Sequence, residues 1–404
     1  MIIDLSDSPL RNSDNIYDVP IMKDKGHLLK ESVSRVEDGR QMSSVSSWQP
    51  YYLNSLRREA ISPTAVENNQ TCCLSLHDII SSTKDDITNV VILTFDVDIE
   101  WLLETVPILI TKPLLVLHNG LKKTDTVHLE NVVLSPVDMG IERYGTHHNK
   151  IIFVFYERGL RVAITTANFT EVDWTLKIQG TYVQDFPRKT SSRSSSEFEC
   201  SLLSHCERIT PMGSSALQKW KKTQQQIKQY EFESAEVILI SSVPGRHNGP
   251  GRNKWGQWKL REEIMMSKSE GGIQDCDQRL LMQFSSIGAL KKDEAFIEEL
   301  ATSLGTIDPN ALQTSSHIGK KQKTSKNTAS QQIVESHISK QRVELVWPTV
   351  DAVRGSIQGW AAGFSIPCES KVQNLYLLLI KPTLCFLCKS HCSMHMNCSE
   401  KSLI

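Results

Sequence analysis

The sequence predicts an α/β protein, and three observations support this class. Between about residues 48 and 235, β-type runs alternate with helical runs. A second block of ordered sequence opens at AEVILISSVPGR, residues 235–246. The chain has 404 residues, which is long enough for two domains with cores of their own. Strands that alternate with helices are typical of α/β domains.

The first block contains the clearest individual elements. Three apolar runs predict strands: NVVILTFDV at 89–97, PLLVLHN at 113–119 and IIFVFY at 151–156. Two runs predict helices: SLHDIISST at 75–83 and ALQKWKKTQQQIKQY at 216–230.

Composition divides the chain into four parts. Residues 1–46 are polar and rich in Ser, Asp and Lys, so we predict a disordered N-terminal tail. Residues 47–234 form the first half of the ordered protein. Residues 235–371 form a second half, interrupted by a flexible, basic insert at about 303–341. Residues 372–404 are an atypical tail rich in Cys, Leu, Ser and Met.

Bulk properties exclude several classes of protein. The net charge is -1, so any binding of DNA or phosphate depends on a local patch. The ten cysteines show no spacing typical of a secreted disulfide framework, which indicates a reducing compartment. We expect no signal peptide, and the most apolar late run is too short to span a membrane.

One hairpin carries the main functional signal. The strand IIFVFY is followed by RVAITT at 161–166, and Glu157-Arg158-Gly159 makes the turn, with Gly where we expect a positive φ. A hairpin centred on Arg158 pairs residues whose numbers sum to 316. To within one residue of register, it places His148 beside Asn168.

Three polar side chains therefore converge at one end of an apolar hairpin. Lys150 lies two positions after His148, on the same strand face. A neutral imidazole is a nucleophile or a proton carrier, lysine supplies a positive charge, and asparagine donates hydrogen bonds without titrating. That set suits a transferring phosphoryl group. Polar residues also occur at strand ends without a function, so the hairpin alone leaves both interpretations open.

The motifs resemble a known family. A His-x-Lys followed by a downstream Asn on a hairpin resembles the half-site of the phospholipase D superfamily, and the form without an Asp after the Lys is similar to the tyrosyl-DNA phosphodiesterases. Further stretches agree in the same order and extend the resemblance over about 48 to 370: PYYLNSL, TFDVDIEWLL, SSVPGRHNG, NKWGQWKL, QFSSIGAL and WPTVDAVRGSIQGWAAGFSIP.

The resemblance implies a fold and an activity. The expected fold is α/β and phospholipase D-like, with two mixed αβ sandwich halves. The expected activity is that of a DNA repair hydrolase, a phosphodiesterase and nuclease that removes 3′-phosphotyrosyl groups of stalled topoisomerase I and other 3′ adducts. His148 is expected to attack phosphorus and form a phosphohistidine, while Lys150 and Asn168 hold the non-bridging oxygens. No cofactor and no metal are implied.

The same resemblance implies further substrate-binding residues and partners. Tyr144 matches the family's base-stacking aromatic, although a packed edge aromatic is the alternative. Tyr52, Ser285 and Ser286 match residues that line the DNA groove, although a loop serine is often only a turn residue. The expected partners are single- and double-stranded DNA with a blocked 3′ end and a topoisomerase I-derived peptide. We expect a nuclear monomer with no membrane contact.

The chain departs from the family pattern in its last part. A second His-x-Lys is expected after FSIPCESKVQN, residues 364–374, but no later histidine is followed by Lys two positions on. The residues after Asn374 do not resemble the family, so we expect a truncated chain with an incomplete second half. Turnover is then expected to be weak or absent, with a covalent adduct trapped at His148.

Two alternatives and one minor signal follow from this departure. The alternatives are a non-catalytic DNA-binding form and a phospholipase D-type lipid hydrolase. The absence of a membrane-binding helix disfavours the second. In the tail, Cys385 and Cys388 have the spacing that begins some zinc sites. No second well-spaced pair follows them, so we expect no metal there.

Overall fold

A computed structural model provides the fold. It describes residues 51–54, 73–81, 86–119, 129–138, 145–190, 195–269, 280–283, 304, 343–346, 348–366 and 402–403. These residues form a mixed α/β structure built around one large sheet. The predicted α/β class is confirmed.

Twelve strands and seven α-helices are described. The strands are β1 (Tyr51–Asn54), β2 (Cys73–Leu74), β3 (Ile87–Thr94), β4 (Leu114–His118), β5 (Val132–Pro136), β6 (Ile151–Tyr156), β7 (Gly159–Thr165), β8 (Gly180–Pro187), β9 (Val237–Ile238), β10 (Leu280–Gln283), β11 (Val343–Val346) and β12 (Ser402–Leu403). The α-helices are α1 (Leu76–Ser81), α2 (Ile99–Thr105), α3 (Glu171–Thr175), α4 (Glu197–Glu207), α5 (Ser214–Ile227), α6 (Gly256–Ser269) and α7 (Val350–Arg354). Short 3₁₀ helices cover Pro107–Ile110, Gly249–Lys254 and Gly359–Ser365.

Eight strands form the main sheet, in the order β2-β1-β8-β7-β6-β3-β4-β5. β3, β4 and β5 are parallel to one another, and so are β1 and β2. The pairs β3–β6, β6–β7, β7–β8 and β8–β1 are antiparallel. The hairpin β6–β7 therefore lies in the middle of the sheet, where both of its edges are paired.

Both faces of the sheet are covered, which explains the continuous apolar runs. Along β3, Val90 and Ile92 contribute to a core shared with α1 and α2. Their neighbours Val91 and Leu93 point to the other face, into a core shared with α4 and α5. Since successive residues of a strand face opposite ways, a strand in the middle layer is apolar at every position.

The structure confirms the individual strand and helix predictions to within a few residues. The run IIFVFY forms β6 over its whole length, and 216–230 contains most of α5. Several elements were not predicted individually, among them β8 and α4. β8 begins at Gly180 and carries Thr181, Gln184 and Asp185, so its apolar content is too low to stand out.

The hairpin register differs by one residue from the prediction. Ile151 pairs with Ile164 and Val154 with Arg161, so paired numbers sum to 315. The expected positive φ at Gly159 is wrong, because this residue is the first of β7 and its φ is not positive. A Cβ on Gly159 would lie 3.3 Å from the carbonyl oxygen of Phe186. The close approach of β8 is therefore the reason for glycine.

The residues from 235 onward contribute in part to the same core. Val237 and Leu239 are buried in the cluster that contains α4 and α5. β9 pairs with β12, and β10 pairs with β11, each in a parallel two-stranded sheet. The division into two halves at residue 235 stays a prediction. None of the helices in the described part of the chain is long and apolar enough to cross a membrane.

Candidate active site

His148, Lys150 and Asn168 lie at one edge of the main sheet. Residues 145–150 lead into β6, and Asn168 follows β7 by three positions. The carboxyl ends of the parallel strands β3 and β4 lie at the same edge, because β3 pairs antiparallel with β6. Ends of parallel strands are where α/β proteins commonly place their ligands.

The approach to β6 is fixed by the strand next to β3. Asn119 lies just after β4. Its side-chain oxygen accepts one hydrogen bond from the backbone N–H of His147 and one from the hydroxyl of Thr146, each at 3.2 Å. The ring of His147 is turned inward, where Nε2 lies 3.3 Å from the carbonyl oxygen of Leu117. Because adjacent residues of an extended chain face opposite ways, His148 is turned outward and is exposed.

Lys150 contacts the ring of His148 directly. Its Nζ lies 2.9 Å from Nδ1 and 3.2 Å from Nε2 of His148, and it donates to the His148 carbonyl oxygen at 3.1 Å. The predicted convergence of the two side chains on one face is confirmed. Only an unprotonated ring nitrogen accepts from an ammonium group. The contact therefore requires a neutral His148, the form that acts as a nucleophile.

Burial and charge shift both groups in the direction that this pairing needs. Burial, and then the positive charge of Lys150, hold the pKa of His148 below its usual value. Lys150 is only 6% exposed, and burial lowers its pKa to about 8 despite the carboxylates of Asp173 and Asp96, which raise it. Near neutral pH the site thus holds a neutral imidazole beside a cation.

Phe95 forms the apolar side of this pair. It follows the end of β3, and its ring centroid lies 4.9 Å from that of His148 at an angle of 44°. The Nζ of Lys150 is 5.8 Å from the same ring centroid, within reach of a cation–π interaction. Phe95 thus contacts both members of the pair and restricts the movement of the imidazole.

Asn168 is held by a carboxylate five residues later. Its backbone N–H and its Nδ2 both donate to Oδ2 of Asp173, each at 2.9 Å. The other oxygen, Oδ1 of Asp173, accepts from Nζ of Lys177 at 2.9 Å. Asp173 is itself 7% exposed, and its charge acts on Lys150. The asparagine and the lysine of the motif are therefore linked through one buried carboxylate.

Of the other predicted substrate-binding residues, the structure describes only Tyr52, which does not lie beside this group. Tyr52 pairs with Thr181, which pairs with Thr165, whose N–H donates to the carbonyl oxygen of Lys150. Three strand spacings separate Tyr52 from Lys150, or about 14 Å. Its role in a DNA groove stays a prediction. Tyr144, Ser285 and Ser286 lie outside the described residues.

Three residues of the site were missed by the sequence reasoning. Phe95 and Asp173 lie within or next to motifs that were recognised for other reasons, TFDVDIEWLL and NFTEVDW. Asn54 is 2% exposed and belongs to PYYLNSL; its Nδ2 donates to the carbonyl oxygens of Trp174 at 2.7 Å and Lys177 at 2.8 Å. A single buried Asn at the end of a four-residue strand gives no periodic signal, so only the resemblance of these motifs marked the region.

A family profile described as tyrosyl-DNA phosphodiesterase matches residues 55–398. The chain belongs to the tyrosyl-DNA phosphodiesterase family. The profile match extends beyond residue 370. The departure of the residues after Asn374 from the family pattern stays a prediction. His148, Lys150 and Asn168 all lie inside the matched range.

Relatives and solved structures agree with this membership. The chain is 33% identical to tyrosyl-DNA phosphodiesterase 1 of Arabidopsis thaliana over 328 residues, covering 74% of this chain and 47% of the relative. It is 26% identical to the enzyme of that name from Drosophila melanogaster, covering 71% of this chain and 48% of the relative. The chain thus spans about half the length of these relatives.

The fold is similar to that of the yeast tyrosyl-DNA phosphodiesterase. That crystal structure superposes with a TM-score of 0.57 at 15% identity, covering 81% of this chain and 72% of the yeast chain. The likeness shows a shared fold and agrees with the predicted α/β class. The predicted incompleteness of the second half stays a prediction.

A metal centre is not found among the residues that the structure describes. Groups of three or more His, Cys, Asp or Glu that are placed to hold a metal ion do not occur there. The tail cysteines Cys385 and Cys388 lie outside the described residues. That the reaction needs no cofactor therefore stays a prediction.

Proposed function

We propose that this chain is a phosphodiesterase of DNA repair that cleaves the bond between a 3′ DNA phosphate and a tyrosine oxygen, with His148 as the nucleophile. Family membership and the names of the relatives supply the reaction class. The observation that carries the proposal is the exposed ring of His148 held against the ammonium group of Lys150, at 2.9 Å from Nδ1.

The first step exchanges one bond at phosphorus for another. A ring nitrogen of His148 donates its lone pair to phosphorus, and the bond from phosphorus to the tyrosine oxygen breaks. The DNA 3′ end is then held as a phosphohistidine, and the tyrosine departs as a phenolate or takes a proton from an acid. Because a phenol has a pKa of about 10, its oxygen leaves without full protonation.

Lys150 and Asn168 stabilise the charge that develops on the phosphoryl oxygens. The Lys150 ammonium is largely desolvated, so its attraction for a phosphoryl oxygen is stronger than that of a surface lysine. Asn168 has one N–H of its Nδ2 directed to Asp173, and no acceptor for the second is present among the residues that the structure describes. That second N–H suits a non-bridging oxygen.

Release of the adduct is a hydrolysis step, which needs a water molecule and a base to activate it. Water attacks phosphorus, the phosphorus–nitrogen bond breaks, and His148 returns to its neutral form while the DNA keeps a 3′ phosphate. A positioned base for that water is typically worth about 10²–10⁴ in rate. The family supplies it from a second His-x-Lys, and this sequence contains one such motif, at His148. We therefore propose that the adduct forms faster than it is released.

The test is mass spectrometry of the purified chain mixed with an oligonucleotide that carries a 3′-phosphotyrosine. We expect a covalent DNA adduct that maps to His148. Many product molecules per chain without a persistent adduct would contradict slow release and leave the hydrolase assignment in place. An intact oligonucleotide with no adduct contradicts the proposed reaction. In that case, binding with a steep salt dependence favours the non-catalytic DNA-binding form.

A mixed-substrate assay addresses the second alternative. The chain is offered the oligonucleotide and phosphatidylcholine vesicles together, and we expect reaction with the oligonucleotide alone. Hydrolysis of the lipid would support the phospholipase D-type assignment. We also propose the wider set of partners: single- and double-stranded DNA with other blocked 3′ ends, and a topoisomerase I-derived peptide. Nuclear location and a monomeric state stay predictions.

A further inference from the structure

The carboxylate of Asp173 lies beside Asn168 but has no role in the reaction steps proposed above. Oδ2 accepts two hydrogen bonds from Asn168, one from the backbone and one from Nδ2, and Oδ1 accepts one from Lys177. A buried carboxylate that accepts several hydrogen bonds fixes the orientation of its donors. The described side-chain hydrogen bonds of Asp173 are to Asn168 and Lys177, so it contacts the motif asparagine directly.

We propose that Asp173 is a positioning residue that fixes which end of the Asn168 side chain faces the phosphate. This inference rests on the proposed function. Phosphate oxygens only accept hydrogen bonds, so the side chain helps only with its N–H₂ end. Asp173 is also only an acceptor, and it draws the same N–H₂ end toward itself. One N–H of Asn168 then donates to Asp173, and the other is left to donate to a phosphate oxygen.

The unpartnered oxygen of Asn168 supports this assignment. Oδ1 of Asn168 is buried and has no hydrogen-bond partner among the described residues, which is an unusual state for a buried acceptor. Rotation of the amide by 180° would place this oxygen against the carboxylate of Asp173. The repulsion between two acceptors makes that orientation worse than leaving Oδ1 unpaired.

Asp173 also influences the second phosphate ligand. After burial, which lowers the pKa of Lys150 to about 8, the charge of Asp173 is the larger of the two carboxylate effects that raise it. Asp173 thus helps to keep Lys150 protonated near neutral pH while it orients Asn168. One residue maintains both members of the pair that would hold the phosphoryl oxygens.

The helix that carries Asp173 is itself fastened to the sheet. Asn54 of β1 donates to carbonyl oxygens at the end of α3, and its Oδ1 accepts from the backbone N–H of Gln179 at 2.8 Å. These bonds hold the five-residue helix α3 in place although its length gives it little stability of its own. The carboxylate is therefore presented from a fixed position.

The experiment compares Asp173→Asn with Glu171→Gln, the same carboxylate-to-amide change at an exposed position of the same helix. The full chain is mixed with the 3′-phosphotyrosyl oligonucleotide, and the single-turnover rate of adduct formation is measured from pH 6 to 9. We expect Asp173→Asn to slow the reaction by up to about 10²-fold. Its rate should also begin to fall at a lower pH on the alkaline side, because Lys150 loses a stabilising charge. Glu171→Gln should behave as the unaltered chain.

The outcomes separate this inference from the proposed function. If the unaltered chain forms no adduct, the proposed function fails. If it forms the adduct and Asp173→Asn matches it in rate and pH dependence, only the positioning role is overturned. A loss of rate that follows the unfolded fraction, with an unmoved alkaline limb, also overturns it.

A second variant keeps the test decisive if Asp173→Asn does not fold. The exchange Asn168→Asp with Asp173→Asn retains a carboxylate–amide hydrogen bond with its direction reversed. We expect this double variant to fold, because the pair is preserved, and to form adduct at least about tenfold more slowly, because an acceptor now replaces the N–H that faces the phosphate. A double variant as fast as the unaltered chain would overturn the proposal.

Discussion

Two adjacent histidines at the entry to β6 show how one residue type serves two purposes. His147 is 3% exposed, contacts the carbonyl oxygen of Leu117 and interacts electrostatically with the buried residues His118 and His205. His148 is exposed and lies between Lys150 and Phe95. The alternation of an extended chain alone separates them.

The comparison shows that a lowered pKa does not identify the reactive histidine. Burial lowers the pKa of His118, His147 and His205 to about 4, and burial also lowers that of His148. All four are therefore neutral near pH 7. What distinguishes His148 is an accessible ring together with a cation placed beside it. A shifted pKa becomes a functional signal only with such geometry.

The largest expected effect comes from replacing each of the two adjacent histidines by alanine. His148→Ala should reduce adduct formation by more than about 10³-fold, because the nucleophile is removed, and it should leave the melting temperature nearly unchanged. His147→Ala should do the reverse and lower the free energy of unfolding by about 2 kcal/mol, since it empties a buried site. Single-turnover assays and thermal unfolding of both variants check this. Equal loss of activity in the two folded variants would contradict the distinction.

The pH dependence of adduct formation tests the charge states of the pair. His148 must be neutral and Lys150 protonated, so the rate should rise through the pKa of His148, below 6.5, and fall above about 8. Well above that value, the loss should approach about tenfold per pH unit. Lys150→Met should lower the rate by about 10²–10³-fold and abolish the alkaline limb. An unchanged alkaline limb in this variant would assign that limb to another group.

The buried histidines should be visible in stability rather than in activity. Their pKa is about 4 in the folded chain and 6.5 when unfolded, so the unfolded state binds more protons between these values. The contribution of these neutral histidines to the free energy of unfolding is therefore fully present above pH 6.5. It is lost as the pH falls toward 4, at up to about 1.4 kcal/mol per pH unit for each histidine.

His205→Leu gives the corresponding measurement. Both ring nitrogens of His205 lack a hydrogen-bond partner among the described residues, so the change removes no bond that the structure shows. Denaturant unfolding at several pH values should give a slope smaller by up to about 1.4 kcal/mol per pH unit than that of the unaltered chain. Identical slopes would show that His205 does not titrate in this window.

The centre of the fold and the core of the site were predictable from the sequence. β6 and β7 are continuous apolar or β-branched runs, and the arithmetic of a hairpin brought His148, Lys150 and Asn168 to one end within a single residue of the observed register. These features depend on local periodicity and on one short turn. Both can be recognised from residues that are consecutive in the sequence.

The remaining contacts depend on chain segments that are far apart in sequence. Phe95 reaches His148 because β3 pairs with β6, and Asn54 reaches α3 because β1 pairs with β8. Strand order in a mixed sheet is a tertiary property, so no local pattern reveals these neighbours. Gly159 is a further example. Glycine is favoured at this position because β8 approaches closely, and not because of the turn conformation that the sequence predicted.

The smallest expected effect sharpens the contrast between the site and the core. Phe95→Leu keeps an apolar side chain but removes the ring beside His148, and it should slow adduct formation about two- to tenfold, the worth of one aromatic contact. Phe155→Leu makes the same change in the interior, where the ring contacts Tyr230 at 6.0 Å between centroids; it should lower the free energy of unfolding by about 1 kcal/mol and leave the rate unchanged. Adduct kinetics and denaturant unfolding of both variants decide the matter. If Phe95→Leu reacts as fast as the unaltered chain, the imidazole is held by Lys150 alone, and the ring only covers the end of β3.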